Sequence, residues 1–201
     1  MPHSDKNIVI TPAIGSTTAD PRIVFSGANA SLGPQNITLR VYPTSNGTLS
    51  FEGSAGQLFS ITNSMSGSIF SVNDVSGVPS IEVLDNGIVK LAEFGGFVAF
   101  GVSPAVVAAG STQATATALT RPINNITTVP ASSGVILPVA TPGMRVMIRN
   151  ATITTVRVYP NSGAQINTLG TNVQLSLETL ANIEFVAFST TQWYTVNATF
   201  A

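Results

Sequence analysis

The chain has 201 residues, of which 8 are Lys or Arg and 9 are Asp or Glu, so only 8% of it is charged. Ordinary soluble domains carry about 25% charged residues, and this length excludes a large multidomain enzyme. The net charge of -1 gives no electrostatic reason to expect nucleic acid or an anionic membrane as a partner.

The remaining composition favours an all-β protein. Ser and Thr together number 45, while Val and Ile supply 37 residues. Such β-branched side chains lose rotamer freedom in helices but pack well on a pleated sheet. The chain has no Cys, which excludes a disulfide framework, a thiolate metal site and a cysteine nucleophile.

Residues 1–20 form an arm that is polar and rich in turn residues. Its one apolar run is NIVIT at 7–11, which is too short for the apolar region of a secretory signal, so we expect a protein made and kept in a cytosol. Such a run adds as a strand to the edge of another sheet. We therefore predict that Ile8, Val9 and Ile10 contact a sheet edge, either of a sister subunit or of a binding partner.

Residues 21–101 predict a hairpin-rich module of short antiparallel strands. In ITLRVY, Ile37, Leu39 and Val41 alternate with polar residues at the period of a half-buried strand. Asn86-Gly87 predicts a tight type I′ turn. With the arm, the expected strands are 7–11, 22–26, 37–42, 48–51, 57–62, 68–72, 80–84 and 87–92.

Residues 102–120 are small, uncharged and interrupted by Pro104 and Gly110, so we interpret them as a connector and not as a membrane span. Residues 121–201 resume the strand rhythm. They predict an antiparallel β-sandwich or jelly-roll-like module, with strands at 134–139, 144–150, 153–159, 172–177, 183–188 and 192–200.

The first module has few large core residues besides Phe, and Gly and Ser interrupt its strands. A small domain of this kind gains stability by burying its faces against copies of itself. We therefore predict an intertwined homotrimer, although a compact monomeric sheet uses the same residues.

Residues 50–96 contain the elements GQLFSITN, GSIFSVNDVSG and PSIEV, and this stretch resembles a module repeated in virion structural proteins of tailed, cyanophage-like bacteriophages. Residues 134–196 are similar to a small β module of phage decoration and fibre proteins. The resemblance implies a trimeric virion component and carries over no catalytic residue.

Catalytic chemistry has little support in the sequence. The one histidine is His3, close to the chain start, which argues against Ser-His-Asp catalysis and histidine metal sites. Asp74, Glu82 and Asp85 form the densest acidic group, but Asp74 and Asp85 stand where turn chemistry is expected. We expect no enzyme activity, no cofactor and no metal.

Two binding sites are predicted in the second module. Residues 102–201 carry four Arg and two Glu. Arg145 and Arg149 are four residues apart, so they share one face of a regular strand and form a candidate capsid contact, with a solvated sheet face as the alternative. Trp193 and Tyr194 point to opposite faces, and the exposed one is the candidate for stacking on a glycan.

The function expected from these observations is a non-enzymatic capsid decoration, or cement, protein. It would act as a homotrimer on the outer head surface and assemble in the host cytoplasm. It would bind the phage major capsid protein, for which Ile8, Val9 and Ile10 of the arm are candidate contacts besides Arg145 and Arg149. The alternative is a short tail or head fibre that binds a host surface glycan. A depolymerase is the third reading, since two carboxylates suffice for glycoside cleavage.

Overall fold

The computed structural model describes residues 7–11, 21–27, 35–42, 47–64 and 66–196. The chain divides into two units, Met1–Val98 and Ala99–Ala201. Strands dominate both units, and the described part holds one short helix, a single 3-10 turn at Gln113–Thr115. The prediction of an all-β protein with two β modules is confirmed.

The first unit is one antiparallel sheet in which each strand pairs with the next along the chain. Successive strands that each pair antiparallel with the next one form an up-and-down sheet. The eight strands are β1 Asn7–Thr11, β2 Arg22–Gly27, β3 Gln35–Tyr42, β4 Thr48–Gly53, β5 Gly56–Ile61, β6 Ser68–Asn73, β7 Pro79–Leu84 and β8 Val89–Leu91.

The turn between β7 and β8 differs from the two-residue type I′ hairpin expected at Asn86-Gly87. Gly87 has φ +82°, but Asn86 is not among the residues with positive φ. The Leu84 amide donates to the Ile88 carbonyl at 2.8 Å, which encloses a three-residue loop. Instead, the side-chain Oδ1 of Asn86 accepts a hydrogen bond from the Ile88 amide. This contact is an Asx turn, and the loop is one residue longer than the expected hairpin turn.

The second unit has two sheets, between which the chain alternates. One sheet has the order β15-β18-β17-β13-β11-β9, and the other has the order β10-β12-β14-β16. Their strands are β9 Val102–Val107, β10 Thr117–Ala118, β11 Ile123–Thr128, β12 Gly134–Ile136, β13 Arg145–Asn150, β14 Val156–Tyr159, β15 Gln165–Ile166, β16 Leu175–Leu177, β17 Asn182–Ala187 and β18 Gln192–Val196.

The antiparallel arrangement predicted for residues 121–201 is wrong for half of this unit. The series β9-β11-β13 and β10-β12-β14 are parallel, and only β16, β17 and β18 add antiparallel partners. A chain that crosses to the other sheet after each strand returns in the same direction, which forms the turns of a short solenoid. Alternation of apolar residues is the same for both directions, so the sequence pattern did not reveal it.

Residues 102–120 differ from the predicted connector, because they supply β9 and β10 to the second unit. Val106, Ala108 and Leu119 are buried in its core. The small residues that suggested a connector instead allow close packing between the first turns of the solenoid. Pro104 is tolerated because β9 is an edge strand.

The core of the second unit lies between its two sheets. Trp193, Phe185, Ile126 and Ile148 are fully buried there, and Asn150 is buried among them. The Asn150 amide donates to the carbonyls of Thr154 at 2.8 Å and Glu178 at 2.9 Å. These bonds satisfy carbonyls of the segments that follow β13 and β16. The buried apolar side chains form a core within the second unit.

Candidate interaction surfaces

The first unit has an apolar sheet face whose described side chains are half-buried or exposed. Paired residues of neighbouring strands lie on the same face of a sheet, and the strand register aligns two apolar rows. One row is Ile23, Leu39, Phe51, Phe59, Val72, Ile81 and Leu91, and the other is Val41, Leu49, Ile61, Phe70, Val83 and Val89. We call these two rows the apolar face.

Polar residues occupy the opposite face of the same sheet. Register places Arg22, Arg40, Ser50, Ser60, Ser71, Glu82 and Lys90 in one row. Ser60 and Ser71 are hydrogen-bonded through their hydroxyls at 2.9 Å, and Lys90 pairs with Glu82 at 3.5 Å. We call this side of the sheet the polar face.

Burial on the two faces is the reverse of that in an ordinary one-sided sheet. Within the described part of the first unit, the only buried side chains are Ser50 and Ser71 of the polar face. On the apolar face, Ile61 is 48% exposed and Val89 is 56% exposed. Phe51 and Phe59 stack with ring centroids 4.0 Å apart, yet neither is buried. Exposed apolar area of this extent marks an interaction surface.

A second surface lies on the six-stranded sheet of the second unit. Burial alternates along β13, where Val146, Ile148 and Asn150 face the core. The other side of the sheet carries Ile123, Arg145, Met147, Arg149, Glu184, Val186, Tyr194 and Val196, which pair in register across β11, β13, β17 and β18. We call this side the outer face.

The structure places Arg145 and Arg149 together on the outer face, as their spacing predicted. Both are exposed. The Arg145 guanidinium donates Nε to Glu184 Oε1 at 2.8 Å and a terminal N–H to Oε2 at 3.1 Å, so this charge is already balanced. Arg149 is therefore the better candidate of the two for contact with an acidic partner.

Trp193 and Tyr194 point to opposite sides, as expected for neighbours on a strand. Trp193 is fully buried and its Nε1 donates to Asn161 Oδ1 at 3.0 Å, so it is not available for stacking on a glycan. Tyr194 is 43% exposed on the outer face. Its ring forms a T-shaped pair with that of Phe188, with centroids 5.1 Å apart. Tyr194 is therefore the accessible aromatic side chain of the two.

Sequence reasoning missed a groove beside Arg145. It has a volume of about 500 Å³ and is lined mainly by Phe100, Pro122, Ile123, Met144 and Met147. Phe100 was assigned to the hairpin module, and β11 was not predicted. No sequence signal brings these segments together, because the parallel pairing of β11 with β13 does so.

The side chains of Ile8, Val9 and Ile10 lie outside the described residues. Their backbone forms the middle of β1, which pairs with β2 of the same chain. The arm segment at 7–11 therefore has a hydrogen-bonding partner within its own sheet, and β1 is an edge strand of that sheet.

The three acidic residues considered for catalysis have separate structural contacts. Asp74 accepts the amides of Ser76 and Val78 at 2.8 and 3.0 Å, and Asp85 accepts the Gly67 amide at 2.8 Å. Glu82 pairs with Lys90. Within the described ranges, no group of three or more His, Cys, Asp or Glu is placed to hold a metal ion. No described helix is long and apolar enough to cross a membrane.

Comparison with known proteins found no matching family model, no matching curated protein and no matching solved structure. The resemblance to phage virion proteins therefore stays a prediction from the sequence.

Proposed function

We propose that this protein is a non-enzymatic structural component of a tailed-phage virion, acting as a homotrimeric decoration protein on the outer head surface. In this proposal the first unit assembles the copies and the second unit contacts the major capsid protein. The observation that carries it is the uncovered apolar face, because a sheet of this kind needs a partner to bury it.

The dimensions of the sheet support association of three copies. A six-residue strand spans about 20 Å at ~3.4 Å per residue, and packed sheets lie about 10 Å apart. If three sheets form a triangle with sides of about 20 Å, each sheet lies about 6 Å from the central axis. This distance is close to half of the usual spacing between two packed sheets. Four sheets would leave an empty centre. Two facing sheets also satisfy the spacing, and the resemblance of residues 50–96 favours three.

The outer face supports the capsid-binding part of the proposal. It combines exposed apolar side chains with Arg149, and such mixed surfaces are usual in specific protein interfaces. A trimer presents three copies of this contact, so that modest individual affinities add as linked events. Binding several capsid subunits at once would hold neighbouring capsomers together.

Imaging of intact particles tests this role. The proposal predicts hundreds of copies per virion, located on the outside of the head. Undecorated heads should also become more resistant to heat when the protein is added. Absence of the protein from purified virions would refute the proposal.

A second candidate function is a short tail or head fibre that binds a host surface glycan. The exposed aromatic pair Tyr194 and Phe188 favours it, because exposed aromatic rings can stack on a sugar. Copy number separates the two functions. A few tens of copies or fewer, located on the tail or at one vertex, would favour the fibre.

A further inference from the structure

The polar face of the first unit contains an open crevice that neither proposed function uses. It has a volume of about 630 Å³ and is lined by Tyr42, Thr48, Glu52, Gly53, Gly56, Gln57 and Ser60. This volume is within the range of about 300–1,000 Å³ typical of small-molecule sites. The lining residues come from β3, β4 and β5 of one chain, so the crevice does not depend on the number of copies. We call it the polar crevice.

One side of the polar crevice is held by a charge-balanced group. The Arg40 guanidinium donates to the Tyr42 hydroxyl at 2.8 Å and lies 3.4 Å from Glu52. The Tyr42 hydroxyl donates to Glu52 Oε1. Burial, followed by the Glu52 hydrogen bond, raises the pKa of Tyr42 above its usual value of 10.0, so the phenol remains protonated and uncharged at neutral pH.

The other side is held by a chain of neutral amides. Asn73 Nδ2 donates to Gln57 Oε1 at 2.8 Å, and Gln57 Nε2 donates to Ser50 Oγ at 2.8 Å. These bonds fix the Gln57 amide while leaving its second N–H for another acceptor. The Asn73 Oδ1 atom in the same chain is buried and has no hydrogen-bond partner. Such an atom is costly to leave unpaired.

We propose that the polar crevice binds a neutral polyhydroxylated ligand, namely an uncharged oligosaccharide. Sugar hydroxyls both donate and accept, which matches the mixture of carboxylate, amide and hydroxyl groups on Glu52, Gln57 and Ser60. The residues that line the crevice include no Lys or Arg, and Arg40 is already paired with Glu52, so the crevice does not favour an anionic ligand. Tyr42 also lines the crevice, and the Arg40 guanidinium lies over its ring at 5.3 Å from the centroid. A Cβ at Gly56 would meet no atom within 4 Å, so the crevice has room on that side.

The test is binding to a printed array of neutral, sialylated and sulfated oligosaccharides, followed by titration of a neutral oligosaccharide that binds. We expect neutral members to bind. We also expect the affinity to fall at least about tenfold in Gln57→Ala, which removes the fixed amide, and in Tyr42→Phe, which keeps the ring and the packing. Circular dichroism and a melting curve of each variant establish that it is folded. The matched control is Ser76→Ala, an exposed position in the β6–β7 turn of the same unit.

Three results would overturn the proposal. The first is no binding to any neutral oligosaccharide at millimolar concentration, and the second is binding confined to acidic ones. The third is neutral binding that both crevice variants retain. If Tyr194→Ala abolishes that binding instead, the sugar site is on the outer face, which would support the fibre function and exclude the crevice.

Discussion

Asn150 is the buried polar residue on which the end of β13 depends. Besides donating to two carbonyls, its Oδ1 accepts the Thr152 amide at 3.1 Å and the Thr152 hydroxyl at 2.8 Å. Every polar atom of this amide is therefore paired within the core. Replacing it leaves several of the partner groups unpaired in a place that water does not reach.

We expect Asn150→Ala to lower the free energy of unfolding of the second unit by about 3 kcal/mol, the cost of several unsatisfied buried groups. Urea denaturation followed by Trp193 fluorescence measures it, since this is the one Trp of the chain and it lies in that core. The control is Asn182→Ala, an exposed position on β17, which neighbours β13 in the sheet. This variant should change the free energy of unfolding by less than about 0.5 kcal/mol. Equal effects of the two variants would show that the buried network contributes little.

Arg149 provides a residue-level test of the capsid contact. Arg149→Glu reverses a charge on the outer face, and we expect the affinity for undecorated heads to fall at least about tenfold because a like charge would face an acidic partner. Arg22→Glu makes the same charge change at an exposed position of the first unit and should bind normally. Co-sedimentation with heads measures both. Unchanged binding by Arg149→Glu would exclude the outer face as an electrostatic contact.

At the level of elements, β1 has a role different from the one its sequence suggested. The sequence predicted that residues 7–11 add as a strand to another sheet, but β2 of the same chain already pairs with this segment. Deleting residues 2–18 removes β1 and exposes the edge of β2. We expect the melting temperature of the first unit to fall, while binding to undecorated heads is retained. If the deletion abolishes head binding and leaves stability unchanged, the capsid contact lies in the arm, with Ile8, Val9 and Ile10 next to be tested.

The elements that the sequence predicted are those with a strong local pattern. ITLRVY and MRVMIRN alternate over six or seven residues, and both are strands. In contrast, β11 has the sequence INNITT, in which Asn124 occupies a core position where an apolar residue is expected. Its inward placement depends on hydrogen bonds to the carbonyls of Arg121 and Met147, which no local pattern predicts.

The candidate sites divide in the same way. Strand periodicity was enough to place Arg145 and Arg149 on one face of β13 and to place Trp193 and Tyr194 on opposite faces of β18. The apolar groove and the polar crevice depend on which strands become neighbours. That information is long-range, so a single sequence did not provide it.

At the scale of the whole molecule, the two units bury their apolar side chains to different extents. The second unit encloses its apolar residues between two sheets. The first unit has one sheet whose apolar side chains remain half-buried or exposed, so its stability should depend on association.

A charged residue on the apolar face tests this dependence. We expect Ile61→Asp to dissociate the assembly, because association would bury an unpaired carboxylate. Val75→Asp is the control, since Val75 is 79% exposed in the turn between β6 and β7 and is not part of the apolar face. Sedimentation velocity distinguishes assembled protein from single chains. An Ile61→Asp protein that stays assembled would show that another surface holds the copies together.

The most direct test of the central claim is the mass of the native protein in solution, measured by light scattering at micromolar concentration. A homotrimer through the apolar face requires three times the chain mass of 20.7 kDa. A stable, folded monomer would contradict the claim that copies of the chain cover this face, and a dimer would replace the triangular arrangement with a pair of facing sheets.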